Sequence, residues 1–185
     1  MSDLLNASDA LVMVDEAYFE FSRTTMRPLL EEHENLVILR TFSKAFSLAG
    51  VRLGYLLANQ SVIREFIKVR QPYSVDAVIG CAVFRNRAKF EPGIDQIIEQ
   101  REILIERLRD LDGIEVFDSD SNYVLIRLAH AGEVWQQLYE RGILVRDFSS
   151  APLLENCLRI SVGLPEENDA LVTALRSIVA ALKAE

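Results

Sequence analysis

Two short segments hold the residue types from which a reactive site is built. The first is Val14-Asp15-Glu16-Ala17-Tyr18, a pair of acids with a phenol close behind. The second runs from Thr41 to Gly54 and contains Thr41, Ser43 and Lys44, with Arg52 eight residues after the lysine. A lysine amine acts as a nucleophile or base only in its neutral form, so it needs burial or neighbouring positive charge. A carboxylate holds a proton or a cation in place, and a guanidinium fork matches the oxygens of a phosphate dianion. Taken singly, each residue has a plainer reading: Asp15 as a strand-end acid, Lys44 as a surface amine, Arg52 as a surface charge.

The elements around these segments give them a common place. Leu11-Val12-Met13-Val14 is a short apolar run that ends at Asp15 and Glu16, the pattern of a buried strand with acids at its C-terminal end. Leu36 to Leu39 is a second such run, ending at Arg40, and Leu53 to Ala58 is a third. Both chemical segments therefore follow a strand, at the edge where open α/β sheets bind ligands. Ser61 reads as the cap of a short helix through Val69, and another helix is expected from Ser74 to Ala88. Glu91-Pro92-Gly93 reads as a break, and a long helix is expected from about Ile94 to Leu111 on its apolar spacing. Strands are then expected at Ile114 to Phe117, Tyr123 to Leu128, Ile143 to Arg146 and Leu158 to Val162. A helix from Ala131 to Arg141 should stop at Gly142, and Pro165 with Glu166 and Glu167 opens a final helix. The expected class is α/β, with residues 1–92 as one region and 93–185 as a second, small α/β unit.

As an ordered set the segments resemble the cofactor site of the fold-type I pyridoxal-phosphate aminotransferases, above all the histidinol-phosphate aminotransferase branch. Three stretches carry the resemblance: Asp15-Glu16-Ala17-Tyr18, then Phe42 to Gly54 (FSKAFSLAGVRLG), then Leu158-Arg159-Ile160-Ser161-Val162-Gly163. It covers essentially the whole chain, aligned with the C-terminal part of that family. It implies part of a large cofactor-binding domain with a mostly parallel sheet, followed by a small C-terminal domain, and pyridoxal 5'-phosphate as cofactor. Lys44 matches the lysine that holds the cofactor covalently, and Asp15 the aspartate on its ring nitrogen. Tyr18 matches a tyrosine on the phenolic oxygen, and Arg52 the arginine on the phosphate, with Ser43 and Thr41 as hydroxyl donors. Arg159 matches the substrate-binding arginine, and Arg146 a position that contacts the substrate phosphate. The implied reaction is transamination of histidinol phosphate with 2-oxoglutarate in histidine biosynthesis, by a cytoplasmic homodimer. The same residues would also serve a decarboxylase of a phosphorylated amino acid, and a non-catalytic fragment is a third reading. The family's chains begin well before Asp15, and their phosphate loop, stacking aromatic ring and partner-donated tyrosine have no match here. The chain alone is therefore expected to be truncated and inactive.

Composition narrows the alternatives. The chain has 185 residues, half of them hydrophobic, and a net charge of −8. That charge speaks against a nucleic-acid binder, which needs a basic footprint, and gives no support for an anionic membrane surface. No apolar run approaches membrane-spanning length, and the N-terminus has no signal-peptide pattern. Cys81 and Cys157 form no metal-binding spacing and read as buried thiols. Asn122 reads as structural, His33 and His130 as surface or loop residues, and Trp135 and Tyr139 as core packing on one helix face.

Overall fold

The computed structural model describes residues 1–69 and 74–183, those at 74 and 76 by their backbone alone. The chain divides into two compact units, Met1–Ile94 and Asp95–Glu185.

In the first unit, a short helix α1 (Ser2–Asn6) leads into β1 (Val12–Asp15). A single helical turn α2 (Phe19–Ser22) and a 3-10 turn (Arg27–Glu31) then lead to β2 (Leu36–Thr41), and β3 (Gly54–Ala58) follows after a loop. Strand β2 is central. It pairs parallel with β1, Asp15 opposite Leu39, and antiparallel with β3, Thr41 opposite Gly54. The third strand runs backwards: the loop of residues 42–53 holds only a 3-10 turn and no helix, and a parallel crossover is usually carried by a helix. Leu36, Val37 and Ile38 are fully buried, as a strand covered on both faces should be. Strand β1 is different from expectation: Met13 is about half exposed and only the alternate residues are covered. One face of β1 packs on Leu5, Leu36 and Ile38, with Met26, Leu29 and Leu30 beside them, and the other face is open.

Helices α3 (Gln60–Val69) and α4 (Ser74–Arg85) follow. Ser61 does not cap α3 as the sequence suggested. Asn59 Oδ1 takes the Ser61 backbone N–H at 3.1 Å and the Ser61 hydroxyl at 3.1 Å. Helix α5 (Glu91–Arg109) begins at the residues read as a break. Pro92 lies in its first turn, where a missing N–H has no intrahelical partner to lose. Cys81 is exposed, not buried as expected, whereas Cys157 is buried.

The second unit is a four-stranded antiparallel sheet in the order β4 (Ile114–Val116), β5 (Tyr123–Leu128), β7 (Cys157–Ser161), β6 (Arg146–Asp147), with α6 (Ala131–Glu140) and α7 (Pro165–Leu182). Val124, Ile126 and Leu128 alternate into one core with Leu158 and Ile160, under Leu138, Leu171, Leu175 and Ile178 of the two helices. Gly142 has φ +77, the left-handed conformation that ends a helix cheaply at glycine, just beyond α6. Trp135 donates its indole N–H to the Val145 carbonyl at 2.9 Å. Tyr139 is more than half exposed and stacks on Trp135 from outside, so it covers the core without belonging to it. The Asn122 carbonyl accepts the Val162 N–H at 3.0 Å, a structural contact. Among the described residues no helix is long and apolar enough to cross a membrane.

Candidate functional site

In a pleated strand, successive side chains leave by opposite faces. Asp15, Leu39 and Thr41 therefore share one face of the β1–β2 pair, and Glu16 and Arg40 share the other. On the first face lies a groove of about 450 Å³, within the range of about 300–1,000 Å³ usual for small-molecule sites. Asp15, Thr41, Ser43, Arg52 and Gly54 all line it. Its floor is close backbone: a Cβ on Gly54 would stand 2.8 Å from the Arg40 carbonyl oxygen.

The loops that follow the strands shape the rest. The Asp15 carboxylate takes the Ala17 N–H at 2.9 Å, which turns the chain toward Tyr18. The Thr41 hydroxyl accepts the Ser43 N–H at 3.0 Å and so starts the turn that carries Lys44. Ser47 closes that turn with φ +55, and its N–H donates to the Lys44 carbonyl at 3.2 Å. Arg52 ends the 3-10 turn Ala49–Val51 at φ +60. Both are left-handed at residues with a Cβ, a strained choice that clusters where ligands bind. The Lys44 ammonium lies 5.5 Å from the centre of the Tyr18 ring. Lys44 and Asp15 are both exposed, and Tyr18 is half-buried.

Behind the strand ends is a buried polar cluster that the sequence reading did not assign. Glu16 accepts the Arg40 guanidinium at 2.9 and 3.1 Å, the Thr25 hydroxyl at 2.9 Å and the Met26 N–H at 2.6 Å. Arg40 also donates to the Thr25 hydroxyl at 2.8 Å and lies 3.6 Å over the Phe19 ring. Glu20 is buried nearby with one carboxylate oxygen that finds no hydrogen-bond donor among the described residues. Burial pushes its carboxyl above the ordinary glutamate value, against a backbone hydrogen bond and the pull of Arg40 and Arg23.

A larger groove of about 880 Å³ lies on the same unit, between β3, α3 and α4. Its walls are Leu57, Ile63, Phe66 and Phe84, and among the described residues its ionisable side chains are Arg52, Tyr55, Cys81 and Arg85. Among the described residues it offers no carboxylate, whereas the smaller groove has that of Asp15, which makes the smaller groove the candidate site.

The two remaining candidates lie in the second unit. Arg146 and Arg159 are register partners across β6 and β7 and so project from one face. Both guanidiniums lie over Phe148, at 5.2 and 5.7 Å, and Arg159 is also 5.0 Å over Tyr123. The Arg159 Nε is buried without a hydrogen-bond partner among the described residues. Like charges directly opposite on a sheet destabilise it, so this pair is suited to an anion. Among the described residues, no group of three or more His, Cys, Asp or Glu side chains is placed to hold a metal ion.

A family model described as aminotransferase class I and II matches residues 1–175. The histidinol-phosphate aminotransferase of Ruminiclostridium cellulolyticum is 40% identical over 172 residues, which cover 91% of this chain and 48% of that protein. The chain thus spans about half the length of the curated relatives it matches. Among solved structures, the L-threonine-O-3-phosphate decarboxylase of Porphyromonas gingivalis matches with a TM-score of 0.82 at 26% identity, over 97% of this chain and 58% of that one. The histidinol-phosphate aminotransferase of Sinorhizobium meliloti, in complex with pyridoxal-5'-phosphate, matches with a TM-score of 0.76 at 28% identity, over 93% of this chain and 49% of that one.

Proposed function

This chain belongs to the aminotransferase class I and II family, and from that premise we propose that the whole protein moves an amino group from histidinol phosphate, or a close phosphorylated analogue, to a 2-oxo acid such as 2-oxoglutarate. The observation that carries the reading is the convergence of Asp15, Thr41, Ser43 and Arg52 on one groove, with the Lys44 amine beside Tyr18.

The donor set fits pyridoxal phosphate. Arg52 supplies a fork for a phosphate dianion, and the Ser43 and Thr41 hydroxyls stand at the same groove. Asp15 would hold a proton at the ring nitrogen, and Tyr18 would donate to the phenolic oxygen. When bound, the cofactor supplies an electron sink for the bond that breaks at the substrate α-carbon. Lys44 would hold the cofactor covalently until the substrate amine displaces it. Its freed amine would then carry a proton between the α-carbon and the cofactor's C4′. In the second unit, Arg159 and Arg146 would bind the substrate carboxylate and phosphate. The site's completion in a homodimer belongs to the same proposal, as does a cytoplasmic location.

Decarboxylation of a phosphorylated amino acid would use the same cofactor residues, and a decarboxylase is among the solved structures that match. The forty per cent identity with histidinol-phosphate aminotransferases favours amino transfer. Borohydride reduction of the cofactor-loaded whole protein, followed by peptide mapping, should mark Lys44. A label on Lys68, Lys89 or Lys183 would overturn the site. Glutamate formed from 2-oxoglutarate supports the transaminase, and carbon dioxide release without glutamate overturns it.

A further inference from the structure

Three candidate site residues, of which Asp15 and Thr41 line the groove and Tyr18 lies beside Lys44, each have a sequence neighbour in the cluster around Arg40. Asp15 is followed by Glu16, Tyr18 by Phe19, and Thr41 is preceded by Arg40. Those three neighbours are in contact behind the sheet. Arg40 binds Glu16 through two nitrogens and lies on the Phe19 ring, so one guanidinium grips all three stretches of backbone from behind. We propose that Arg40, through Glu16 and Phe19, is a positioning residue of the cofactor site: it sets the places from which Asp15, Tyr18 and Thr41 project. This rests on the reading of that groove as the pyridoxal phosphate site.

Three features favour positioning over simple packing. The side chains are nearly closed to water, 9% exposed for Arg40 and 6% for Glu16. Arg40 Nε and Nη2 both donate to Glu16 Oε2, and Nη2 also reaches the Thr25 hydroxyl, so the guanidinium has little freedom to turn. Glu16 is also fully compensated, by Arg40, Thr25 and the Met26 N–H. With its charge spent behind the sheet, the carboxylate facing the groove at this strand end is that of Asp15. A lysine at position 40 has no planar fork and no flat face to lay on Phe19, so it cannot reproduce the grip.

The test uses the holoenzyme with four variants: Arg40→Lys, Arg40→Met, Glu16→Gln and the double Glu16→Gln/Arg40→Met. Melting temperature, kcat, KM and the pH midpoint of the bound cofactor's visible absorption are measured for each. Either single charge removal should lower the melting temperature, because it strands a buried charge. The double variant strands none and should regain most of it. If Arg40 positions the site, kcat in the double variant stays down by about 100-fold, the penalty of misplacement by about 1 Å. KM stays near the wild-type value and the absorption midpoint stays displaced. Arg40→Lys, which keeps a cation, should show the same displaced midpoint. Recovery of kcat and midpoint together with melting in the double variant would overturn the inference, as would a wild-type midpoint in Arg40→Lys. A double variant that cannot fold would show the pair to be needed for the fold itself and would overturn it too. Borohydride labelling separates the two levels. A wild-type label away from Lys44 removes the site and this inference together, whereas a label at Lys44 with full recovery in the double variant removes the inference alone.

Discussion

Gly50 and Gly54 lie four residues apart in one motif, yet the structure gives them opposite tolerances. Gly54 faces Thr41 across β2 and β3, and a Cβ there would meet the Arg40 carbonyl oxygen at 2.8 Å. Carbon–oxygen contacts between strands settle at about 3.3–3.6 Å, so the strands would have to part by at least about half an ångström. The atom in the way is backbone and cannot swing aside. Such overpacking costs about 1–3 kcal/mol, and the stiffer unfolded chain of an alanine returns about 0.4–1 kcal/mol. Gly54→Ala should therefore lose about 1–2 kcal/mol, or about 2–8 °C of melting temperature for a chain of this size. Gly50 has nothing within 4 Å of its added Cβ and a φ outside the left-handed region. Gly50→Ala should melt at the wild-type temperature or slightly above it. Because the clash falls between Arg40 and Thr41, Gly54→Ala should also release pyridoxal phosphate faster, and Gly50→Ala should not. Thermal unfolding followed by circular dichroism, with cofactor retention after gel filtration, reads both effects. A Gly54→Ala protein that melts with wild type and keeps its cofactor would refute the reasoning.

Asp15→Asn in the whole protein should retain cofactor but lose about 100-fold or more in kcat, the scale of a lost proton-holding group; near-normal turnover would refute that role. Glu20→Gln should stabilise the protein at neutral pH. Burial raises the Glu20 carboxyl above its unfolded value, so the folded state takes up the proton first. The penalty is absent below the unfolded pKa and grows as pH rises through the folded one. The gain from Glu20→Gln should therefore shrink as the pH is lowered into the ordinary glutamate range and below. Melting curves of the two proteins from pH 7 to pH 4 check this, and a gain independent of pH would contradict it.

The family was legible because the order of the candidate residues along the chain is dense with information: acid, phenol, lysine and arginine in turn, in segments that follow apolar runs. That Asp15, Thr41, Ser43 and Arg52 line one groove follows from strands whose register the apolar runs nearly dictate. Three things were not legible. The half-open face of β1 depends on what covers it, and Leu11 and Met13 look the same in sequence whether covered or bare. Glu91-Pro92-Gly93 spells a break and a helix start with the same letters, and Pro92 settles the matter only through its place in the first turn. The Glu16–Arg40 pair spans 24 residues and has no spacing to announce it.

A local signal for that pair was nonetheless present. If Asp15 and Thr41 face a ligand at the ends of two neighbouring parallel strands, the pleat sends Glu16 and Arg40 to the opposite face. An acid and a base brought together there, next to a core of Leu36 and Ile38, must pair or remain a buried charge. The alternation that aims the site thus also places its support, one residue further on in β1 and one residue earlier in β2. A motif read only for its reactive members leaves out half of what the strand positions. In this chain the unassigned half is the acid that follows Asp15 and the base that precedes Thr41.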